Sequence, residues 1–262
     1  MRESSRRVSH GGDSDDSYLA SLSDLIIGVL FVFIILLMAF ALNYKAAQTD
    51  ADDREKDLKE QNERLSDAQK DRKALLEHIK QTLKAQGIPV EIDAENGILR
   101  LPEALLFDSG RAEFRAGGAA ALKVVASNLA TILPCYSSNS MSGAECQQRN
   151  PRKRQLEAIF IEGHTDNIPI NNASFRDNWD LSVARAKRTY LELTKETQSL
   201  ETMLNERKEP LLSFSAYAER RPVATSDSDE ARRKNRRIDL RFIMAIPRAM
   251  ANPADLPGAT GK

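Results

Sequence analysis

The hydrophobic and polar positions divide the 262-residue chain into three stretches with different patterns. Leu25–Leu42 is apolar throughout, Lys45–Gln86 is dominated by charged residues, and from Val90 onward short apolar runs alternate with amphipathic ones. The first pattern is typical of a membrane span, the second of a solvated helix, and the third of a folded domain that contains both strands and helices.

The apolar stretch predicts a transmembrane helix over residues 21–43. The apolar run together with Leu22 and Ser23 forms a helix about 30 Å long, which matches the hydrocarbon core of a bilayer. The leading segment, residues 1–20, contains three arginines, and these favour a cytoplasmic N-terminal tail. A cleaved signal peptide ending near Ala39-Phe40-Ala41 is the alternative, but its leader would be too long and too acidic. We therefore expect the span to remain as a single membrane anchor.

A single carboxylate, Asp24, stands where the apolar stretch begins. Carboxylates that enter a bilayer are costly and commonly belong to ion or proton pathways. Ser21-Leu22-Ser23-Asp24 also fits a capping box, in which Asp24 would accept hydrogen bonds from the first helical turn. The local residues leave both interpretations open.

The charged stretch predicts a helical linker over residues 44–88, because it has as many acidic as basic residues and is closed by Gly87-Ile88-Pro89. If fully helical it reaches about 60 Å. Its sparse apolar positions recur at near-heptad spacing: Leu58, Leu65, Leu76, Ile79 and Leu83. Such spacing permits a coiled coil, and a solvated single helix or a partly disordered tether is the alternative. In each case the segment would act as a spacer.

The last stretch predicts an α/β sandwich over residues 89–247, with helices on one face of a sheet, followed by a flexible tail over 248–262. A hairpin signal, Ala94-Glu95-Asn96-Gly97, separates the first two strands. The predicted strands are Val90–Asp93, Ile98–Leu101, Leu156–Glu162, Leu211–Tyr217 and Arg237–Ile243, and the predicted helices are Ala119–Leu133 and Leu181–Asn205.

Charge and composition exclude several classes of site. The 38 basic residues balance the 38 acidic ones, so no overall charge indicates nucleic acid or an acidic substrate. Cys135 and Cys146 have the spacing of neither a zinc knuckle nor a redox pair. His164 has no second ligand at metal spacing and no nucleophile motif, so it indicates neither a metal site nor catalysis. The basic run Arg232–Arg237 is the one feature that could suggest nucleic acid.

Four sequence blocks in the last stretch resemble the OmpA-like peptidoglycan-binding family. In chain order they are Phe107-Asp108-Ser109-Gly110, Ile161-Glu162-Gly163-His164-Thr165-Asp166, Asn178-x-x-Leu181-Ser182-x-x-Arg185-Ala186 and Asn235-Arg236-Arg237-Ile238. The resemblance implies a domain that binds the peptide stem of peptidoglycan without hydrolysing it, and hence a protein that is not an enzyme. Because the basic run overlaps the fourth block, we expect no nucleic-acid partner.

The resemblance also implies which residues bind. Asp166 and Arg185 occupy the positions that hold the charged end of diaminopimelate, with Asn178, Asn235 and Arg236 as neighbouring wall residues. The chemistry agrees, because diaminopimelate carries an ammonium and a carboxylate on one carbon, and a carboxylate beside a guanidinium can bind both. Considered singly, Asp166 would be a turn cap and Arg185 a surface ion pair.

A cytoplasmic tail, a span that begins with an aspartate, a spacer and an OmpA-like domain together resemble MotB-type stator subunits. The resemblance implies that Asp24 carries the transported ion, expected to be a proton, with no other cofactor. It implies peptidoglycan, a multi-span MotA/ZorA-like membrane subunit and a second copy of the chain as partners. It also implies a single-pass protein of the bacterial inner membrane with a periplasmic C-terminal domain.

Within this group the sequence is most similar to ZorB, the stator-like subunit of Zorya anti-phage systems, in its span and in the insertion Pro134–Arg154. The oxidising periplasm implied by the resemblance favours a disulfide between Cys135 and Cys146, which would close that insertion. A flagellar MotB-like subunit and a passive tether between membrane and cell wall, with Asp24 only capping its helix, are the alternatives.

Overall fold

The computed structural model describes residues 13–139 and 143–245. The chain forms two compact units, of which the first ends at Asn62 and the second begins at Glu63. The predicted tail 248–262 and residues 1–12 of the predicted N-terminal tail lie outside the described residues.

The first unit contains the beginning of helix α1, which runs from Asp13 to Ala85. Every side chain from Leu25 through Leu42 is exposed, although all of these residues are apolar or small. A helix with an exposed apolar surface of this length has the dimensions and composition of a membrane span. Asp24 belongs to this helix by its backbone, and its side chain lies outside the described part of the chain.

The second unit includes the last part of α1, residues 63–85. Four of its apolar side chains are at most 1% exposed and join the core of the domain: Leu75, Leu76, Ile79 and Leu83. All four lie in the predicted linker 44–88, and three of them belong to the apolar positions whose spacing permits a coiled coil. In the structure the same apolar face is covered by the domain, so the folded unit begins at Glu63, ahead of the predicted boundary at residue 89. Leu65, about three helical turns before Leu75, is 46% exposed.

Ion pairs and hydrogen bonds fix the same part of α1 to the domain. The Asp71 carboxylate accepts from Arg152 Nη1 at 2.6 Å and from Arg154 Nε at 3.0 Å. Arg72 Nη2 donates to the carbonyl oxygen of Glu95, in the hairpin between the first two strands. Residues 63–85 are thus attached both by apolar packing and by polar contacts.

A five-stranded sheet forms the centre of the second unit. The strands are β1 (Glu91–Asp93), β2 (Ile98–Pro102), β3 (Leu156–His164), β4 (Leu212–Ala218) and β5 (Arg237–Met244). Their order across the sheet is β1-β2-β5-β3-β4, and only the β3–β4 pair is parallel. All five strands match predicted ones to within two residues at each end, and the predicted hairpin joins β1 to β2.

The remaining helices lie between the strands. They are α2 (Glu103–Leu106), α3 (Gly118–Ile132), α4 (Ala144–Arg149), α5 (Asn178–Glu196), α6 (Gln198–Glu201) and α7 (Asp229–Asn235). One long helix was predicted where α5 and α6 occur. The chain leaves the helical conformation at Thr197 (φ −147°, ψ 83°), and the turn allows Leu200 and Met203 to enter the core.

The two faces of the sheet differ in polarity because successive strand residues point to opposite sides. Ile159 and Ile161 of β3 belong to the apolar core, whereas Glu162 and His164 alternate with them and carry polar groups. Gly163 lies where α5 crosses closest, since a Cβ there would overlap the Ser182 carbonyl oxygen. Close packing at Gly163 fixes the end of β3 and hence the position of Asp166.

The insertion Pro134–Arg154 is closed by a disulfide between Cys135 and Cys146, whose Cα atoms are 5.0 Å apart. Hydrogen bonds support the same loop: Tyr136 Oη donates to the Arg149 carbonyl, and Asn150 Nδ2 donates to the Cys135 carbonyl. The loop is therefore closed on itself by hydrogen bonds as well as by the disulfide.

Candidate functional site

Asp166 follows the end of β3 and is buried. Its Oδ1 accepts a hydrogen bond from the Ile168 backbone amide at 3.2 Å, as a turn-capping aspartate would. Its Oδ2 accepts from Arg236 Nη1 at 2.6 Å. Asp166 thus combines a turn-capping contact with a charge-assisted bond to an arginine.

Arg185 lies on α5 and is only 1% exposed. Its guanidinium forms an ion pair with Glu103, and Nε donates to the Arg111 carbonyl at 2.8 Å. Nη2 also donates to the Asp108 carbonyl, and the guanidinium lies 5.4 Å from the centre of the Phe107 ring. Burial lowers the pKa of Arg185, and the negative charge of Glu103 opposes that effect. Arg185 therefore holds the Phe107–Gly110 turn from inside the domain.

Asp166 and Arg185 belong to one network whose members alternate in sign. Glu103 pairs with Arg185 through one oxygen and accepts from Arg236 Nε through the other, and Arg236 reaches Asp166. We call these four residues the Asp166–Arg185 network. Its two acids balance its two bases, and the Arg236 side chain, at 24% exposure, is its most accessible member.

The two predicted wall asparagines bind the backbone. Asn178 Nδ2 donates to the carbonyls of Asp166 and Ile168, at 3.3 and 3.1 Å. The Asn235 amide accepts from the Val223 and Ala224 backbone amides and donates to the Ala224 carbonyl. These contacts position the turn after β3 and the loop before α7, so both asparagines shape the site through the main chain.

Glu103 is the member of the network that the sequence analysis missed. It is a buried carboxylate that joins Arg185 to Arg236. No periodicity or motif distinguishes it from the other acidic residues, because its burial arises from α5 and β5, which are distant in the chain. Only the turn after β2, where Pro102 ends the strand, marks its position.

A second polar cluster lies on the sheet face that points away from the apolar core, and it contains Glu162, His164 and Asp239. His164 Nε2 is 3.8 Å from Glu162 Oε2 and 3.5 Å from Asp239 Oδ2, too far for good hydrogen bonds. Arg241 binds both oxygens of Glu162, at 2.7 and 2.8 Å, and Arg237 Nε binds Asp239 at 3.0 Å. Since both carboxylates are already neutralised, a divalent cation would add uncompensated charge to a buried site. The arginines therefore argue against a metal here.

Glu162 makes stability depend on pH. Burial alone would raise the pKa of Glu162, but interactions with His164 and Arg241 outweigh burial and lower the pKa to about 2. Because this folded-state pKa lies below the ordinary 4.5, the ionised carboxylate stabilises the fold above pH 4.5, and this contribution is lost as the pH falls toward 2.

We expect Glu162→Gln to destabilise the protein by up to about 3 kcal/mol at neutral pH. The difference in free energy of unfolding between wild type and Glu162→Gln should narrow as the pH falls from 4.5 to 2. Urea unfolding across this range measures it, with Glu157→Gln as a control for a partly exposed carboxylate on the same strand. A difference that stays constant with pH would contradict the prediction.

Comparisons with known proteins agree with the predicted fold. Residues 144–236 match the model of the OmpA family, and this range contains Asp166, Asn178, Arg185, Asn235 and Arg236. The prediction of a mixed α/β OmpA-like domain that follows an apolar helix and a helical linker is thereby confirmed. Glu103 and the Phe107–Gly110 block lie outside the matched range.

Two curated proteins of Bacillus subtilis are similar to the chain. Motility protein B is 31% identical over 164 residues, which are 63% of this chain and 50% of that protein. The uncharacterized protein YtxE is 25% identical over 246 residues, 87% of this chain and 88% of that protein. The chain thus spans about half the length of the Motility protein B that it matches.

Two solved structures resemble the domain. The cell wall anchor of the T6SS from Pseudomonas aeruginosa is 24% identical, with a TM-score of 0.44, and the match covers 65% of this chain and 96% of that one. The periplasmic domain of Helicobacter pylori MotB is 25% identical, with a TM-score of 0.38, and the match covers 60% and 78% respectively.

Proposed function

We propose that this chain is the peptidoglycan-anchoring, ion-binding subunit of an ion-driven motor in the bacterial inner membrane, of the MotB stator type. The Asp166–Arg185 network carries the proposal, because it places charges of both signs at the end of β3 within the OmpA-family match. The similarity to Motility protein B supports it as well.

Binding to the cell wall needs a site for the ammonium and the carboxylate of diaminopimelate. Asp166 supplies the carboxylate for the ammonium. Arg236 supplies the guanidinium for the carboxylate, because it is the more accessible of the two arginines in the network. Arg185 is buried beneath them, where it fixes Glu103 and the Phe107–Gly110 turn. In this arrangement Arg185 supports the pocket from below and Arg236 faces the ligand. No covalent bond changes, so the domain acts as an anchor and not as an enzyme.

Sedimentation of the detergent-solubilised full chain with purified sacculi tests the anchor. We expect Asp166→Asn and Arg236→Gln each to weaken binding by at least about 2 kcal/mol, because each leaves a charged ligand group unmatched. Asp229→Asn is the matched control, since it removes an exposed carboxylate that also pairs with an arginine. Binding that is unchanged in both site variants would show that the peptidoglycan site lies elsewhere.

The motor role rests on Asp24. The apolar helical surface that follows it is exposed along its whole length, and one helix cannot enclose an ion path. A multi-span MotA/ZorA-like subunit must therefore surround it, together with a second copy of this chain. A protonated carboxyl can move against an apolar partner face, whereas the charged form needs water or a polar partner. Cycling between the two forms would couple proton flow to movement.

Asp24→Asn tests the motor role because it keeps the shape and the capping ability of the side chain but cannot titrate. We expect complete loss of ion-driven activity, with membrane level and assembly with the multi-span partner unchanged. Asp50→Asn, on the same helix beyond the apolar stretch, should retain activity. Full activity of Asp24→Asn would favour the passive tether.

The biological setting that we propose is anti-phage defence of the Zorya ZorB type. The disulfide-closed insertion Pro134–Arg154 and the Leu22-Ser23-Asp24-Leu25 start of the span support this assignment. Expression with the neighbouring genes should protect a sensitive host against phage, and Asp24→Asn should abolish protection. Restored swimming in a strain without its own stator, with no phage protection, would favour the flagellar role instead.

A further inference from the structure

The sheet face opposite the helices carries a groove lined by four arginines. The groove has a volume of about 560 Å³, and the four are Arg100, Arg221, Arg237 and Arg241. A second depression of about 450 Å³ shares Arg100 and Arg237 with it and adds two cations, Arg233 and Lys234, and two carboxylates, Glu91 and Glu230. We call the two together the sheet-face groove. Asp166 and Arg236, which would contact the ligand in the proposed peptidoglycan site, line neither depression.

Most of these cations already have an anionic partner. Arg100 pairs with Asp93 at 2.8 Å, and Arg237 and Arg241 pair with the buried carboxylates of the second polar cluster. Within the part of the chain that the structure describes, neither Arg221 nor Arg233 forms an ion pair within 4 Å. Glu230 is near enough to Arg233 to attract it, but its carboxylate contacts Lys234 at 2.9 Å. The positive charge available to a ligand is therefore located at Arg221 in the first depression and at Arg233 in the second. Arg100 lines both depressions.

Arg221 is held in place although it lacks a carboxylate. Its guanidinium lies 3.8 Å from the centre of the Tyr217 ring, close enough for a strong cation–π contact. Its backbone carbonyl accepts a hydrogen bond from Arg237 Nη2 at 3.0 Å, which fixes the loop that presents it. A cation that is ordered without an anion loses little freedom when an anion arrives.

The groove also holds a donor that its neighbours do not use. Arg100 Nε is buried and has no hydrogen-bond partner among the residues that the structure describes. The Asp239 Oδ1 atom lies 3.8 Å from this nitrogen, beyond hydrogen-bond range, and is itself buried without a hydrogen-bond partner among the described residues. Arg100 therefore brings to the groove one donor that an incoming acceptor could use.

We propose that the sheet-face groove binds a phosphate-bearing polyanion, with Arg221 and Arg233 as its two unpaired cationic contacts and Arg100 between them. Guanidinium groups suit phosphate because they donate parallel hydrogen bonds to two of its oxygens. Two unpaired cations on either side of a shared arginine fit charges that repeat along a chain better than one isolated ion. This inference is independent of the peptidoglycan site and of the motor role.

Calorimetric titration of the detergent-solubilised full chain with inorganic pyrophosphate and with polyphosphate tests the groove. We expect Arg221→Gln and Arg233→Gln each to weaken polyphosphate binding about tenfold, the effect of losing one charge-assisted contact. Arg220→Gln is the matched control, because Arg220 adjoins Arg221 but already pairs with Glu219. It should change the affinity less than twofold. Binding to sacculi should be the same in Arg221→Gln as in wild type.

The proposal is overturned if the wild type does not bind polyphosphate. It is also overturned if Arg221→Gln and Arg220→Gln bind polyphosphate with equal affinity. If polyphosphate binds no more tightly than pyrophosphate, the proposal that the ligand is a polymer is wrong. If the thermal unfolding midpoint shows that Arg221→Gln is misfolded, the exposed Arg233→Gln decides in its place.

Discussion

Ile79→Ala should lower the free energy of unfolding by about 2–5 kcal/mol, the cost of truncating a large side chain in a close-packed core. Ile79 is 0% exposed and lies in the core with Leu76, Leu83, Leu99 and Leu240. Denaturant unfolding of the detergent-solubilised protein, followed by a signal from the second unit, measures the change. Leu65→Ala, on the same helix but 46% exposed, should cost less than about 1 kcal/mol.

The same packing predicts where a soluble fragment must begin. A fragment that starts at Glu63 keeps the four core side chains of α1 and should unfold cooperatively. A fragment that starts at Val90 uncovers the core surface that Leu75, Leu76, Ile79 and Leu83 occupy, and should fail to fold cooperatively. Equal stability of the two fragments, together with a silent Ile79→Ala, would show that residues 63–85 are only a spacer.

The sequence predicted the strands well because alternation along a strand depends on local residues. In β5 charged residues alternate with apolar core residues from Arg237 to Phe242, and this pattern is visible without the fold. The sequence also shows the apolar helical face formed by Leu76, Ile79 and Leu83, but such a face indicates only that some other element covers it. Contacts between residues far apart in sequence decide whether that element is a second helix or the chain's own domain.

The four sequence blocks predicted that Asp166, Arg185 and Arg236 line one pocket, and in the structure ion pairs that pass through Glu103 connect these three residues. They could not show that Arg185 is buried, because the motif is read along α5 while the burial comes from α2 and the turn after it. Nor could the blocks show that the side-chain amides of Asn178 and Asn235 hydrogen-bond to backbone groups. Those bonds depend on how two loops return to the sheet.

Glu103→Gln should destabilise the protein by about 3–5 kcal/mol, because it leaves the Arg185 guanidinium buried without a carboxylate. The same change frees Arg236 from one of its two partners, so binding to sacculi should weaken as well. Unfolding and sedimentation with sacculi measure the two effects. Glu219→Gln, which removes the partner of the exposed Arg220, is the control and should cost less than about 1 kcal/mol.

A double variant separates the two effects of Glu103. Replacing a buried ion pair by apolar residues of similar volume is often neutral, whereas removing one partner is not. Glu103→Leu combined with Arg185→Met should therefore be more stable than Glu103→Gln alone, since the two residues are coupled through one contact. Binding to sacculi should stay weak in the double variant, because Arg236 still lacks the carboxylate that positions it beside Asp166. If the double variant recovers both stability and binding to sacculi, Glu103 affects binding only through its effect on the stability of the fold. If Glu103→Gln costs no more than Glu219→Gln, the buried network does not contribute to stability as the structure implies.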